Sequence, residues 1–352
     1  MSGLPLLTDL DFPTLQSLLA DGGQPRYRAR QLWEWLYVHL ADSFDQMTNL
    51  PLSLREKLKT ETELGLPEIA ASQVSGDSLT RKDLLRLADG ETIEAVLMRY
   101  ELRRTACIST QAGCPVGCVF CATGQTGFRR NLSSGEIVAQ ALHFARVLRA
   151  EGQMLTNVVL MGMGEPLLNI EATLAAIRRL TDPAGFHLGQ RHITISTVGI
   201  VPGIDRLTEE LSSEGAPAQV TLAISLHAAT DELRDRLVPI NRRYPLDELF
   251  AACHRAFARS GRRISVEWVL IGGVNDSQQQ AEALAARLVG LPAHVNLIPL
   301  NPTPAYSGAP SSRQAIAAFT AVLERQRIPH TVRVRRGVEI QAGCGQLRAR
   351  RA

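Results

Sequence analysis

The stretch Gly113-Cys114-Pro115-Val116-Gly117-Cys118-Val119-Phe120-Cys121 spaces three cysteines as C-x3-C-x2-C, with an aromatic residue just before the last. An apolar, strand-like run, Ala106–Thr110, leads into it. A [4Fe–4S] cluster is usually held by four cysteine thiolates. Three leave one iron open to a small-molecule ligand. Structural zinc wants four tetrahedral ligands, commonly in two pairs, and no second C-x2-C or H-x3-H follows. The ligand count favours a cluster with one open iron over a zinc knot or three packed thiols.

Outward from this loop the pattern is short apolar runs alternating with helices. The spacing predicts strands at Ala106–Thr110, Asn157–Met161, Ile193–Thr197, Val220–Leu226, Ile264–Ile271, Val295–Leu300 and Thr331–Val334. It predicts helices at Ser134–Ala150, Ile170–Leu180, Pro245–Arg259, Gln278–Val289 and Arg313–Arg327. Alternating βαβ units argue for a parallel sheet. The strand number is nearer six than the eight of a closed barrel, so an open, partial barrel fits. The cysteines follow its first strand, at the carboxyl end of the sheet where such folds build their sites. Before it, Phe12–Leu19, Arg28–Leu40 and a segment opening at Pro51 read as helices. Ala71–Asp77 reads as a polar segment. Leu84–Leu87 and Ile93–Met98 then flank Asp89-Gly90 as a hairpin. The resulting division is a helical region at 1–70, a β-hairpin linker at 71–103, the barrel at 104–342 and a C-terminal loop and tail at 343–352.

The chain has 352 residues, 45% hydrophobic, with mean hydropathy near zero. That is the composition of a soluble globular protein. No apolar run approaches the roughly 18 residues of a membrane span, and the N-terminus lacks the charged and apolar regions of a secretory signal. A cluster requires a reducing compartment, which points to the cytoplasm. The net charge of +3 is unevenly spread. Residues 1–100 carry 10 basic against 15 acidic side chains, while residues 320–352 carry eight Arg against two Glu. Arg333, Arg335, Arg336, Arg348, Arg350 and Arg351 surround Gly343-Cys344-Gly345. Such a cluster suits a phosphate backbone or a solvated face.

Met161-Gly162-Met163-Gly164-Glu165-Pro166 follows the second barrel strand. Its glycines permit close backbone approach to a ligand, and Glu165 offers a carboxylate to an ammonium group. It fails the dinucleotide fingerprint at Leu167. Ser196, Ser225-Leu226-His227 and Asn301 stand at the ends of later strands, where they are cap residues or parts of a pocket. Cys107 lies in the first barrel strand. Cys344 lies between two glycines, which predicts a mobile loop, and near arginines, which predicts a lowered thiol pKa. Cys253, among apolar residues on a helix, reads as a packed hydrophobe.

Together these segments resemble the RlmN-type RNA methyltransferases, which are radical S-adenosylmethionine (SAM) enzymes. The resemblance rests on Ile108–Cys114 through Gly127-Phe128, Met161–Asn169, Ser225-Leu226-His227, Asn301-Pro302 and Gly343-Cys344-Gly345-Gln346-Leu347. It implies an α/β fold, a partial (βα)6 radical SAM barrel with a small N-terminal helical, RNA-binding domain. It implies a [4Fe–4S] cluster on Cys114, Cys118 and Cys121, with SAM held by Gly164, Glu165, Ser196, Ser225, Leu226, His227 and Asn301. It implies methylation of adenine C2 in 23S rRNA and in tRNA beside the anticodon, consuming two SAM per turnover, with an electron donor such as flavodoxin. Cys344 would carry the methyl group, Glu94 would take the C2 proton, and Cys107 would release the product by forming a disulfide with Cys344. A C8-adenine methyltransferase of the same superfamily, conferring antibiotic resistance, would use the same cysteines.

Overall fold

A computed structural model describes residues 4–212 and 216–348. Arg350 and Arg351 lie outside the described residues. Three helices open the chain: α1 (Phe12–Asp21), α2 (Tyr27–Tyr37) and α3 (Leu52–Glu61). The Asp11 side chain caps α1 by accepting the Thr14 N–H at 2.8 Å, satisfying one of the orphan donors of a helix start. Leu32, Trp33, Leu36 and Tyr37 bury one face of α2. The strands β1 (Glu68–Val74), β2 (Thr80–Arg86) and β3 (Thr92–Arg99) follow as an antiparallel meander.

The barrel begins at β4 (Arg104–Cys107). Next come β5 (Gln111–Gly113), the short α4 (Ala122–Gln125), β6 (Phe128–Asn131), α5 (Ser134–Ala150), β7 (Asn157–Leu160), α6 (Ile170–Thr181), β8 (Ile193–Thr197) and α7 (Val201–Glu210). The chain continues through β9 (Thr221–Ser225), α8 (Asp231–Leu237), α9 (Leu246–Ser260), β10 (Ile264–Leu270), α10 (Gln278–Arg287), β11 (Ala293–Pro299), α11 (Arg313–Arg325) and β12 (His330–Val332). One sheet runs β1-β2-β3-β4-β7-β8-β9-β10-β11-β12, parallel from β4 onward. Its two edges, β1 and β12, do not pair with each other, so the barrel is partial.

Three readings of the sequence change. Residues 71–77 are not a polar lead-in. β1 spans the 70/71 boundary, and the meander joins the barrel sheet through the antiparallel β3–β4 pair. β1 is an edge strand exposed along almost its whole length, so it has no apolar alternation to read. Its backbone pairing with β2 and the Arg86–Glu68 bridge at 3.0 Å hold it. Second, α7 and α8 were not legible. Pro202 and Gly203 occupy the first turn of α7, and α8 is short and mostly charged. Third, β5 and β6 form a separate hairpin that closes the base of the cysteine loop.

The helical region is bolted to the barrel by arginines of α5 and α6. Arg146 donates to the Leu40 carbonyl at 2.7 Å and Arg149 to those of His39 and Val38 at 2.6 and 2.7 Å. Arg179 donates to the Thr8 and Asp9 carbonyls. Arg146 and Arg149 thereby satisfy carbonyls just past the end of α2, and Arg179 those just before α1.

A second arginine organises the carboxyl end of the sheet. Arg234, on α8, is fully buried. It donates to the carbonyls of Leu226 (3.0 Å), Val198 (2.6 Å) and Ser225 (3.3 Å) and to Asn241 Oδ1 (2.8 Å). It thereby ties together the loops after β8 and β9. Leaving a buried acceptor unpaired costs roughly 1–3 kcal/mol. Arg234→Leu is therefore expected to lower stability by about 3 kcal/mol or more, read from the urea midpoint. A change below about 1 kcal/mol would contradict this role.

Candidate active site

The cysteine loop hangs from the β5–β6 hairpin at the carboxyl end of the sheet. Cys114 N–H donates to the Gly127 carbonyl at 3.0 Å. Gly113 sits at φ +79°, and a Cβ there would lie 1.9 Å from that same carbonyl oxygen, so the hairpin closes only around glycine. Cys118 is buried and Cys114 and Cys121 are half-buried, among Val116, Phe120, Leu233, Leu237, Val269 and Leu300. Burial pushes the Cys114 thiol up to about 12 and the Cys118 thiol well above its ordinary value, and the neighbouring thiolates add to both shifts. Their sulfurs thus lie within electrostatic reach of one another in apolar surroundings. Among the described residues no group of three or more His, Cys, Asp or Glu stands close enough together to hold a metal ion. Three thiols on one loop, one short of the four that saturate a cluster, fit a [4Fe–4S] cluster by ligand count, and binding it would expel their protons.

The residues expected to bind SAM stand at or just past the carboxyl ends of β7, β8, β9 and β11. Gly164, at φ +100°, packs its backbone against β5, and a Cβ there would stand 2.6 Å from Gln111 Cβ. Glu165 is buried, and burial raises its carboxyl to about 7. Its oxygens accept the Leu167 N–H at 3.0 Å and the Val198 N–H at 2.8 Å, so it also braces the loops after β7 and β8. Ser196 and Ser225 hydroxyls meet at 3.1 Å across β8 and β9. Leu226 is wholly buried, with its N–H donated to the Glu267 carbonyl. His227 adopts φ +62°, accepts the Val269 N–H on Nδ1 at 3.0 Å and sets its ring edge-on to Phe120, with centroids 4.9 Å apart. Burial lowers its pKa to about 3, so the imidazole is neutral. Asn301 Oδ1 is buried without a partner. An orphaned acceptor beside the cysteine pocket is what a polar cofactor would satisfy.

The C-terminal loop departs from expectation twice. It is docked, not loose. Ala122 N–H donates to the Gly345 carbonyl (2.7 Å), Thr123 Oγ1 to that of Leu347 (2.6 Å), Asn301 Nδ2 to that of Cys344 (3.1 Å), and Gln346 Nε2 to that of Pro302 (3.1 Å). The Cys344 thiol is also raised, not lowered. The residue keeps accessible surface at the barrel mouth, yet the protein around its sulfur makes desolvation the largest influence, and Glu267 adds to it. Arg333 opposes them without prevailing. Among the flanking arginines Arg333 acts on the sulfur in space, but proximity in sequence does not by itself place an arginine there. Arg336, for example, lies over the Tyr100 ring, 4.9 Å from its centroid. Arg333 and Arg335 are exposed.

Cys107 is buried, and desolvation followed by the charge of Cys344 raises its thiol to about 12. The two thiols therefore lie within electrostatic reach of each other. All six cysteines are free. Cys107 pairs with Val96 across β3–β4, so Glu94, two residues along β3, shares its face of the sheet. Glu94 Oε1 meets Lys82 Nζ at 2.9 Å, and Oε2 accepts the Arg348 N–H at 2.8 Å. Cys253 is packed in the core, as its surroundings in sequence suggested. Lys82, Glu267 and Asn296 were missed. The lone acid inside the apolar run Ile264–Ile271 was the available signal for Glu267.

A Radical SAM superfamily model matches residues 108–285, and a model of the ribosomal RNA large subunit methyltransferase N-terminal domain matches residues 6–64. The dual-specificity RNA methyltransferase RlmN 1 of Myxococcus xanthus is 51% identical over 343 residues, spanning 97% of this chain and 94% of that protein. The chain belongs to the RlmN family. A probable RlmN of Chloroflexus aurantiacus is 49% identical, over 98% of this chain and 93% of its own. The crystal structure of a radical SAM methyltransferase from Sphaerobacter thermophilus superposes with a TM-score of 0.94 at 51% identity, covering 98% and 99% of the two chains. This RlmN relative is thus a radical SAM RNA methyltransferase, with a [4Fe–4S] cluster and SAM implied by the family. Among the described residues, no helix is long and apolar enough to cross a membrane. Cys118→Ala is expected to abolish iron-dependent visible absorbance in the anaerobically reconstituted protein. Full iron content in that variant would remove the ligand assignment.

Proposed function

We propose that this enzyme methylates carbon 2 of adenine in 23S rRNA and in tRNA beside the anticodon, with Cys344 as covalent methyl carrier. The observation that carries the reading is the pairing of two thiols inside the barrel mouth: Cys344 on the docked C-terminal loop, and Cys107 close enough to feel its charge. Direct displacement suits a nucleophilic oxygen or ring nitrogen. Adenine C2, between two ring nitrogens, is electron-poor and needs another route. The cluster with SAM supplies one-electron chemistry, and a second SAM supplies the methyl group.

The chain's own residues do the rest. Cys344 gives up its proton and holds the methyl as a thioether. Joining the S-methyl carbon to C2 would require that one hydrogen atom leave the methyl group and that the odd electron of the adduct return to the one-electron cofactor, while Glu94, anchored by Lys82 and the Arg348 N–H, takes the C2 proton. Cys107 thiolate then attacks the Cys344 sulfur. The S–S bond forms, the S–C bond breaks, its electron pair stays on carbon, and a proton is added there. The disulfide must be reduced before the next cycle. A donor such as flavodoxin would serve the cluster, and a reducing cytoplasm suits both requirements. The exposed Arg333 and Arg335 and the N-terminal helices would meet the RNA backbone. A target adenine must leave its stack, which costs a few kcal/mol and least in loops.

Anaerobic incubation with SAM and rRNA or tRNA fragments, followed by nucleoside mass spectrometry against standards, tests the reading. 2-Methyladenosine is expected, and 8-methyladenosine would favour the C8 alternative. Cys107→Ala should accumulate a protein–RNA adduct on denaturing gels. Normal turnover by that variant without an adduct would remove Cys107 from the mechanism.

A further inference from the structure

Alternation on β10 separates two faces. Trp268 packs outward on Phe319 of α11, with centroids 5.5 Å apart. Ser265 and Glu267 therefore point the other way, into the barrel. Register places Glu267 beside Ser225 of β9 and beside Asn296 of β11, and Asn296 beside Thr331 of β12. A polar row thus crosses four strands of the lumen. Glu267 is 6% exposed and Asn296 8%, and among the described residues Glu267 makes no ion pair. An unpaired buried carboxyl is costly, and Lys82–Glu94 already accounts for the proton acceptor. Glu267 also acts on the Cys344 sulfur, where the methyl would be carried.

The hydrogen bonds define what this pair can still accept. Ser265 Oγ donates to Glu267 Oε1 at 2.8 Å. Asn296 Nδ2 donates to Glu267 Oε1 and to Ser265 Oγ, both at 2.9 Å. Both amide protons are thereby used, which fixes the orientation of the carboxamide. Asn296 Oδ1 and Glu267 Oε2 remain as two adjacent acceptors in the lumen.

We propose that Glu267 and Asn296 read the exocyclic amine of the target adenine through these two acceptors. The inference rests on the adenine-methylating function above. An adenine presenting C2 toward Cys344 has an N6 amine with two N–H donors. Hypoxanthine and guanine place a carbonyl oxygen at that position, which two acceptors repel. Purine has no group there and would leave both acceptors buried and unpaired. The adenine of SAM carries the same amine. Glu267 and Asn296 sit mid-strand in β10 and β11, deeper in the lumen than Gly164, Glu165 and Asn301, which stand beyond their strand ends, and this favours the RNA base.

The test is a competition between RNA fragments carrying adenosine, purine riboside or inosine at the target position, using wild type, Glu267→Gln and Asn296→Ala. Wild type should favour adenosine over purine riboside by about tenfold or more. Each variant should bring that ratio to within about threefold, while SAM affinity, measured separately, stays at the wild-type level. The readout is a ratio, so a general loss of activity does not imitate it, and either variant alone suffices if the other fails to fold. A wild-type ratio in the variants overturns the proposal. So does loss of SAM affinity with an unchanged ratio, which would assign the acceptors to the cofactor. Absence of adenine methylation by wild type would instead overturn the function on which the proposal rests.

Discussion

The arrangement of this site depends on the docking of a single segment, residues 341–348, across the barrel mouth. Its ties reach three regions far apart in sequence: the cysteine loop through Ala122 and Thr123, the end of β11 through Asn301 and Pro302, and the β2–β3 ladder through Lys82 and Glu94. Each bond alone contributes about 1 kcal/mol. Together they give Cys344 one address, below the cysteine pocket and within the field of Cys107 and Glu267. Gly343 allows close approach, since a Cβ there would stand 2.7 Å from Asn301 Nδ2, and Gly345 supplies a φ of +81°, so the glycines shape a docked segment and do not free it.

The same docking has an electrostatic consequence. Three carboxyl groups serve the interior in different ways. Glu94 is ion-paired with Lys82, Glu165 is held by backbone amides, and Glu267 is hydrogen-bonded by Ser265 and Asn296 with the charge of Arg333 acting on it. Burial raises Glu165 and Glu267, and it raises the Cys107 and Cys344 thiols as well. Reactivity at Cys344 is therefore not stored as a standing thiolate. It must arise when ligands enter and alter the charges around the sulfur.

Local signals in the sequence carried the elements that local rules determine. The helix Ser134–Ala150, with its Ser133–Glu136 capping box, and the strand Ile193–Thr197 have the boundaries the pattern predicts. The three cysteines follow β4 as expected. What was not legible depends on partners distant in the chain. β1 is a strand only because β2 is beside it, and β5 pairs with β6 across the loop they close. At Cys344 desolvation and Glu267, brought near by the fold, outweigh the flanking Arg333, so the thiol is raised where the sequence predicted a lowered one. Glu267 and Asn296 are 29 residues apart and meet only across β10 and β11.

The central claim is that the docked Cys344 carries the methyl group. The most direct measurement is the mass of the peptide containing Cys344, taken from protein purified out of cells that make active enzyme. The account predicts one added methyl group on Cys344. An unmodified Cys344 in enzyme that methylates RNA at full rate would contradict it.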